Sequence, residues 1–316
     1  MSYFELSNIM RGVPVFVTTH MNPDGDAIGS AVSMYHLLKH KGHDARGVVL
    51  ETDPEPHYRP LLYDTPIFTP ATLSLPQDYI GLLVDAHLPE RAGTVAQVLN
   101  VHIAIDHHPQ KDTPIPSVYI DENAPSCSFI IARLALHECV HLSHPAPYSI
   151  FTPAYYGLVT DTLSFSPTIE RTKLIRAFDA AREMIDYVDL RRIREAQPTL
   201  TLDDLNDIGW LYRNINHEDN GIYTLYIDGL RPTFKKALEA MRSLSDYRYA
   251  IVGVYDGTTL RVSIRSAPDA KAIHTIMDKY GGGGHPHAAG CSIKTDMPRT
   301  LFNAIVHDVY RLSMKE

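Results

Sequence analysis

The chain has 316 residues, of which 44% are apolar and 21% charged, with a formal charge of −8 and three cysteines. That is the composition of a globular protein with room for about two domains of roughly 100–200 residues each. It argues against a disulfide scaffold, since Cys127, Cys139 and Cys291 are an odd set without Cys-x-x-Cys spacing; against long duplex DNA, whose phosphates an acidic surface repels; and against a membrane span, since no apolar run approaches ~18–20 residues.

Residues 1–10 lack the basic and apolar regions of a secretory signal, so a reducing cytoplasm is expected, with no membrane as partner. An acidic protein can still take a short phosphorylated substrate if metals and a few arginines supply local positive charge.

The first 190 residues alternate apolar runs with helix-like stretches. Residues 13–19 read as a buried strand. Residues 27–41 read as a helix, with Ile28, Ala31, Val32, Tyr35 and Leu38 at helical spacing and Gly42 as its stop. Further strands are expected at 45–50, at 79–84 running into Asp85, and at 101–105 running into Asp106. A helical run over 148–159 precedes Asp161. This alternation predicts an α/β fold: a doubly wound, mainly parallel sheet domain over 1–190. Residues 191–220, interrupted by Pro198, read as a helical linker. Residues 221–316 then predict a smaller C-terminal α/β domain. Its strands are expected at 222–227, 248–255, 259–265 and 288–293, its helices at 233–244, 269–280 and the C-terminus, and a glycine-rich loop at 281–284.

Ligands of such sheets sit outside the carboxyl ends of the strands. His20, Asp85 and Asp106 each follow a predicted strand and so converge on one crevice. In His20-Met-Asn-Pro-Asp24-Gly-Asp26 the two carboxylates can project toward one point from a turn. The alternative is a helix N-cap, with Asp26 favoured there by the helix dipole, although a cap does not require His20. Asp85 follows four apolar positions, where a carboxylate is costly unless paired or metal-bound; its alternatives are a cap or a salt bridge to Arg91. Asp106-His107-His108 suits a metal ligand steadied by a neighbouring carboxylate. Asp161 ends a mostly buried helix, where its charge opposes the dipole and a nearby cation would relieve the conflict. Mixed carboxylate–imidazole ligation without thiolate favours Mn²⁺, with Co²⁺ or Fe²⁺ next and Mg²⁺ behind. Four carboxylates neutralise two divalent ions, and such a pair can activate water for attack on phosphorus.

These motifs, His20-xxx-Asp24-x-Asp26, Asp85, Asp106-His107-His108 and Gly157-Leu-Val-Thr-Asp161-Thr, resemble in order the four motifs of the DHH phosphoesterase superfamily. Gly282-Gly-Gly-His285-Pro-His-Ala-Ala-Gly290 is similar to the signature of the DHH-associated domain, so the resemblance spans essentially the whole chain. It implies one metal on His20, Asp24 and Asp85, and a second on Asp26, Asp85, His107 and Asp161, with Asp85 bridging. It further implies that His108 contacts the substrate phosphate and that Asp106 orients the histidines. The active site would lie in the cleft between the two domains. Leu163 departs from the pattern, since many relatives carry glycine there; a small change in loop shape is expected, without loss of ligation.

Strand alternation in the second unit puts Leu260, Val262 and Ile264 on one face and Arg261, Ser263 and Arg265 on the other. The family's substrate-binding arginine matches Arg265, with Ser266 beside it. Gly282, Gly283 and Gly284 let backbone amides approach an anion, and His285 is the candidate for a terminal phosphate. His287 is read as spacing. His141 and His144 are read as surface, as are His36, His40 and His43 at a polar helix end, and Trp210 as packing in the linker helix.

Length and the associated domain make the chain similar to the branch that degrades short oligoribonucleotides and dephosphorylates 3′-phosphoadenosine 5′-phosphate (pAp). The alternatives are a cyclic di-AMP or pApA phosphodiesterase, an exopolyphosphatase, and, outside the enzymes, a nucleotide-sensing protein. A homodimer is compatible with the sequence.

Overall fold

β1 (Val15–Thr18) is buried on both faces, as an unbroken apolar run is in a covered parallel sheet. The computed structural model describes residues 10–139, 147–167, 169–199, 201–229, 231 and 233–314. Residues 1–9, His141 and His144 lie outside them. The chain forms two compact units, Met1–Pro198 and Thr199–Glu316, so the break falls inside the 191–220 stretch.

In the first unit β1 pairs in parallel with β2 (Ala45–Val49) on one side and β4 (Ile80–Val84) on the other. β3 (Ile67–Phe68) extends the β2 edge, while β5 (Ile103–Asp106) and β6 (Ser117–Ile120) extend the β4 edge. The order is 3-2-1-4-5-6 and every pair is parallel. The direction of winding reverses between β1 and β4. Loops leaving those two strands therefore diverge, and a crevice opens at their carboxyl ends. His20 follows β1 and Asp85 follows β4.

Alternate strand residues serve opposite faces. Val15, Val17, Leu82, Val84, Ile103 and Ile105 join one core, beneath α1 (Gly25–His40), α3 (Cys127–Cys139), α4 (Tyr148–Asp161) and α5 (Arg171–Met184). Phe16, Leu83 and Ala104 join a second core, closed by Ala92 and Val95 of the 3₁₀ segment Pro89–Gln97. Two short helices, α2 (Arg59–Leu62) and α6 (Leu190–Glu195), pack at the α4 side.

Small residues let α1 approach α3 and α4 closely. A Cβ on Gly29 would stand 2.5 Å from the Pro153 carbonyl oxygen, and one on Gly157 2.1 Å from Ser128 Oγ. With α1 wrapped this way, His36 is buried at 8% exposure, with Nε2 3.0 Å from Thr65 Oγ1. The expectation that it is a surface residue is therefore corrected. A period-3.6 pattern marks one apolar stripe, whereas α1 is covered on nearly every side.

The second unit holds α7 (Leu202–Arg213), β7 (Asn216–Glu218), β8 (Ile222–Asp228), α8 (Phe234–Arg242), β9 (Tyr249–Tyr255), β10 (Thr259–Ser266), α9 (His274–Asp278), β11 (Gly283–His285), β12 (Ala288–Lys294) and α10 (Pro298–Ser313). Its sheet runs 11-12-10-9-8-7, antiparallel except for β8–β9, which α8 connects. Phe302, Ile305 and Val309 of α10 cover one face, and Leu211, Ala237, Leu238 and Met241 cover the other. Trp210 packs at that second core under the Arg231 guanidinium, 3.9 Å from the ring centre.

The helix expected over 269–280 shrinks to His274–Asp278. The reason is competition for donors: Lys271 N–H bonds Tyr249 Oη and Ile273 N–H bonds the Pro286 carbonyl, so neither is used within a helix. The expected glycine loop is in part β11. No helix among the described residues is long and apolar enough to cross a membrane.

Candidate metal centre

Three strand-end loops at the carboxyl edge of the first sheet, with the end of α4, bring the chemistry together. His20 leaves β1, and its Nε2 lies 3.4 Å from Asp85 Oδ2 and 4.0 Å from Asp24 Oδ1. His107 leaves β5, and its Nε2 lies 3.4 Å from Asp85 Oδ1 and 3.7 Å from both Asp26 Oδ2 and Asp161 Oδ2. Ligand atoms within 4.8 Å of one another define three groups: His20, Asp24 and Asp85; Asp26, His107 and Asp161; and Asp85, Asp106, His107 and His108.

The helix cap proves to be Asp24, whose Oδ1 accepts the Asp26 and Ala27 amides. Asp26 instead turns across to a second helix. Its two oxygens accept the Cys127 and Ser128 amides at the start of α3, at 2.7 and 2.8 Å. Asp85 sits at φ 60°, a left-handed conformation that aspartate tolerates better than most residues. It is 2% exposed and pairs with His20 and His107 rather than with Arg91. Its amide donates to the Ile105 carbonyl (3.0 Å) and to Cys127 Sγ (3.2 Å), which fastens the β4 loop to β5 and α3.

Asp106 Oδ1 accepts from the His107 and His108 amides and from His108 Nδ1, the last at 2.8 Å. Asp106 Oδ2 lies 2.5 Å from His87 Nδ1. At the end of α4, Leu163, Ser164 and Phe165 all adopt φ between 50° and 59°. The departure at Leu163 is thus a left-handed turn in non-glycine residues, and Asp161 still faces His107.

The electrostatics are those of a crowded acidic cluster. Burial and the neighbouring Asp85 and Asp161 carboxylates push Asp26 well above the usual carboxylate range. Burial, opposed by His107, lifts Asp161 to about 6. Burial would also raise Asp85, but the His107 and His20 imidazoles, each 3.4 Å away, hold it well below the usual range. Burial resists charging His20 and His107, yet Asp85 and its neighbours prevail and lift them to about 9 and about 10. Asp85 Oδ1 and His107 Nδ1 are buried without a hydrogen-bond partner. A cluster that forces one of its four carboxyls toward the protonated form is short of positive charge, and a buried carboxylate oxygen with no hydrogen bond of its own is costly. Divalent cations fit that deficit.

Burial also holds the Cys127 thiol well above its ordinary range, so it remains protonated and acts as a hydrogen-bonding group rather than a soft metal ligand. His87 and Cys127 are the functional neighbours that sequence reasoning missed. Asp85-Ala-His87 was visible as a strand-end histidine, but the partner of Cys127 Sγ is 42 positions away.

In the second unit, Arg265 of β10 stands opposite Ala288 of β12, which stands opposite His285 of β11. The next residues on that face are Ser263, Gly290 and Gly283. Residues directly opposite share a face. Arg265 and His285 therefore flank a trough floored by alanine and glycine. Ser266 Oγ lies 2.8 Å from His287 Nδ1, which gives His287 a partner beyond spacing. A Cβ on Gly282 would stand 2.2 Å from the Gly290 carbonyl oxygen, so glycine there is demanded by the hairpin itself.

A doubly wound parallel sheet with an Asp/His cluster at its switch point, followed by a separate mixed-sheet unit, defines a class of two-unit α/β metal-centre proteins. Residues 14–159 match the DHH family N-terminal domain, and residues 232–310 match the DHHA1 domain. The chain carries matches to both domains, in that order. It is 28% identical over 301 residues to the bifunctional oligoribonuclease and PAP phosphatase NrnA of Bacillus subtilis, covering 88% of this chain and 89% of that protein. The protein of the same name from Thermus thermophilus is 26% identical, over 92% and 87%. Among solved structures, an exopolyphosphatase-related protein from Bacteroides fragilis superposes with a TM-score of 0.81 at 17% identity, covering 99% of this chain and 95% of that one, which is a likeness of fold.

Proposed function

We propose that this chain is a metal-dependent phosphoester hydrolase acting on short oligoribonucleotides, on pAp, or on both, through water activated between two divalent ions. The observation that carries the reading is Asp85. Its two oxygens face different imidazoles, Oδ2 toward His20 and Oδ1 toward His107, each at 3.4 Å. One carboxylate thus belongs to two ligand groups, as a bridging ligand must. One ion is assigned to His20, Asp24 and Asp85, and the other to Asp26, Asp85, His107 and Asp161. The donor set favours Mn²⁺, with Co²⁺ or Mg²⁺ as substitutes. When bound, such a pair lowers the pKa of water and screens charge building on the phosphoryl group.

The chain's own groups do the rest. His108, its Nδ1–H accepted by Asp106, is assigned to a substrate phosphate, to which Nε2 donates when it too carries a proton. In the other unit, Arg265 and His285, flanking the trough, are assigned with the glycine run Gly282, Gly283 and Gly284 to hold the substrate's second anionic group, while Ser266, buried with its Oγ on His287, steadies the Arg265 strand end. The names and coverage of the two relatives support the choice of substrate. The buried free thiols of Cys127 and Cys291 support a reducing cytoplasm.

The test is hydrolysis by Mn²⁺-loaded protein of pAp, di- to pentaribonucleotides, pApA, cyclic di-AMP and polyphosphate. Turnover of pAp or the short RNAs is expected. Asp85→Asn should cut it by at least about a hundredfold and lower the Mn²⁺ bound per chain. Preferred turnover of cyclic di-AMP or of polyphosphate would replace the substrate assignment. Metal binding without turnover of any member would overturn the enzyme reading.

A further inference from the structure

We propose that His87 is a positioning residue that ties the Asp106-His107-His108 loop to the loop after β4 and thereby sets the orientation of His108. His87 lies two residues beyond Asp85 and is 4% exposed; Asp106 is 1% exposed. The Lys111 amide donates to His87 Nε2 at 3.0 Å. Nε2 is therefore an acceptor and carries no proton, so the ring's proton sits on Nδ1. Nδ1–H then donates to Asp106 Oδ2 at 2.5 Å. The other Asp106 oxygen is occupied by the His107 and His108 amides and by His108 Nδ1–H.

The network has one consistent assignment of protons. His87 is a neutral ring with two defined partners, one on each side. Asp106 is held from both oxygens and cannot rotate away. His108 is kept with a proton on Nδ1. One buried side chain also links two strand ends: the loop carrying the bridging carboxylate and the loop carrying the imidazoles. Outer partners of this kind tune metal sites without ligating.

Asparagine can place an N–H where His87 Nδ1 is, and glutamine can place an oxygen where Nε2 is. His87→Asn therefore keeps the Asp106 bond and loses the Lys111 bond; His87→Gln does the reverse. The kinetic consequence rests on the phosphoesterase reading, whereas the tautomer does not. The first readout is ¹⁵N-histidine NMR of the metal-free full chain. His87 is expected as the Nδ1–H tautomer. His108 is expected in its Nδ1–H form in wild type and His87→Asn, and as a mixture of tautomers in His87→Gln. The second readout is pAp hydrolysis with Mn²⁺. His87→Gln is expected to lose about ten- to a hundredfold in kcat with little change in KM or bound Mn²⁺, and His87→Asn to recover most of that loss.

An Nε2–H tautomer for His87, or an unchanged His108 in His87→Gln, overturns the proposal. So do equal losses in the two variants. If His87→Gln does not fold, the wild-type tautomer and the His87→Asn spectrum still decide. A wild type without turnover sinks the phosphoesterase reading and leaves the tautomer test of His87 intact.

Discussion

His107 faces Asp26, Asp85 and Asp161 at once, and His20 faces Asp24 and Asp85. In the metal-free protein both imidazoles are held protonated, up to about 10 and about 9 against an ordinary 6.5. A pKa raised on folding stabilises the fold fully below the unfolded value, and that stability drains away as the pH passes through the folded value. Metal-free protein should therefore lose thermal stability as the pH climbs from about 7 to about 10, and Mn²⁺-loaded protein should not share that loss. Melting curves in chelator and in Mn²⁺ check this; parallel curves would sink it. The candidate ligands were legible in the sequence: His20, Asp85 and His107 follow apolar strand runs, Asp24 and Asp26 share a turn, and Asp161 ends an apolar helix. The contacts that hold them were not. Asp26 meets the Cys127 amide across 101 positions, and nothing local marks either residue for the other.

α1 and α4 carry Asp26 and Asp161, and glycines set how near the two helices come. Gly29→Ala would press a methyl group onto the Pro153 carbonyl, which is backbone and cannot swing aside. A loss of about 1–3 kcal/mol is expected, the usual cost of overpacking, read as a lower denaturation midpoint with an unchanged slope. A neutral substitution would mean that the helices are less tightly crossed. The central strands and α1 were readable from periodicity, since β1, β4 and β5 are buried runs and α1 has repeating apolar positions. β3 is only two residues long, and β6 is half-buried throughout, so neither stands out as a buried apolar run. α3 is apolar on so many sides that periodicity does not single out a face. The shortened α9 shows tertiary partners outbidding a helix for backbone donors.

On the proposed reading the two units divide the work: the first concentrates carboxylates and imidazoles, and the second presents Arg265 and His285. Arg265→Ala and His285→Ala should therefore raise KM for pAp about tenfold or more, the scale of a lost charge-assisted hydrogen bond, and leave bound Mn²⁺ unchanged. Metal analysis beside steady-state kinetics separates the two effects. Loss of metal in either variant would contradict the division. The α/β class and the order of the two units were legible from the alternation of elements. The row Arg265–Ala288–His285 was not, because it depends on the register of three strands, and register is a property of pairing rather than of any one segment.

Asp26 serves two masters. It is assigned to a metal ion, and it is also the acceptor for the first amides of α3. Without metal its carboxyl is pushed toward the protonated form, which accepts hydrogen bonds more weakly than a carboxylate. The leading turn of α3 should then fray. Deuterium uptake at the Cys127 and Ser128 amides should be faster in chelator than in Mn²⁺, so that a buried helix end becomes a gauge of how fully the protein is charged with metal.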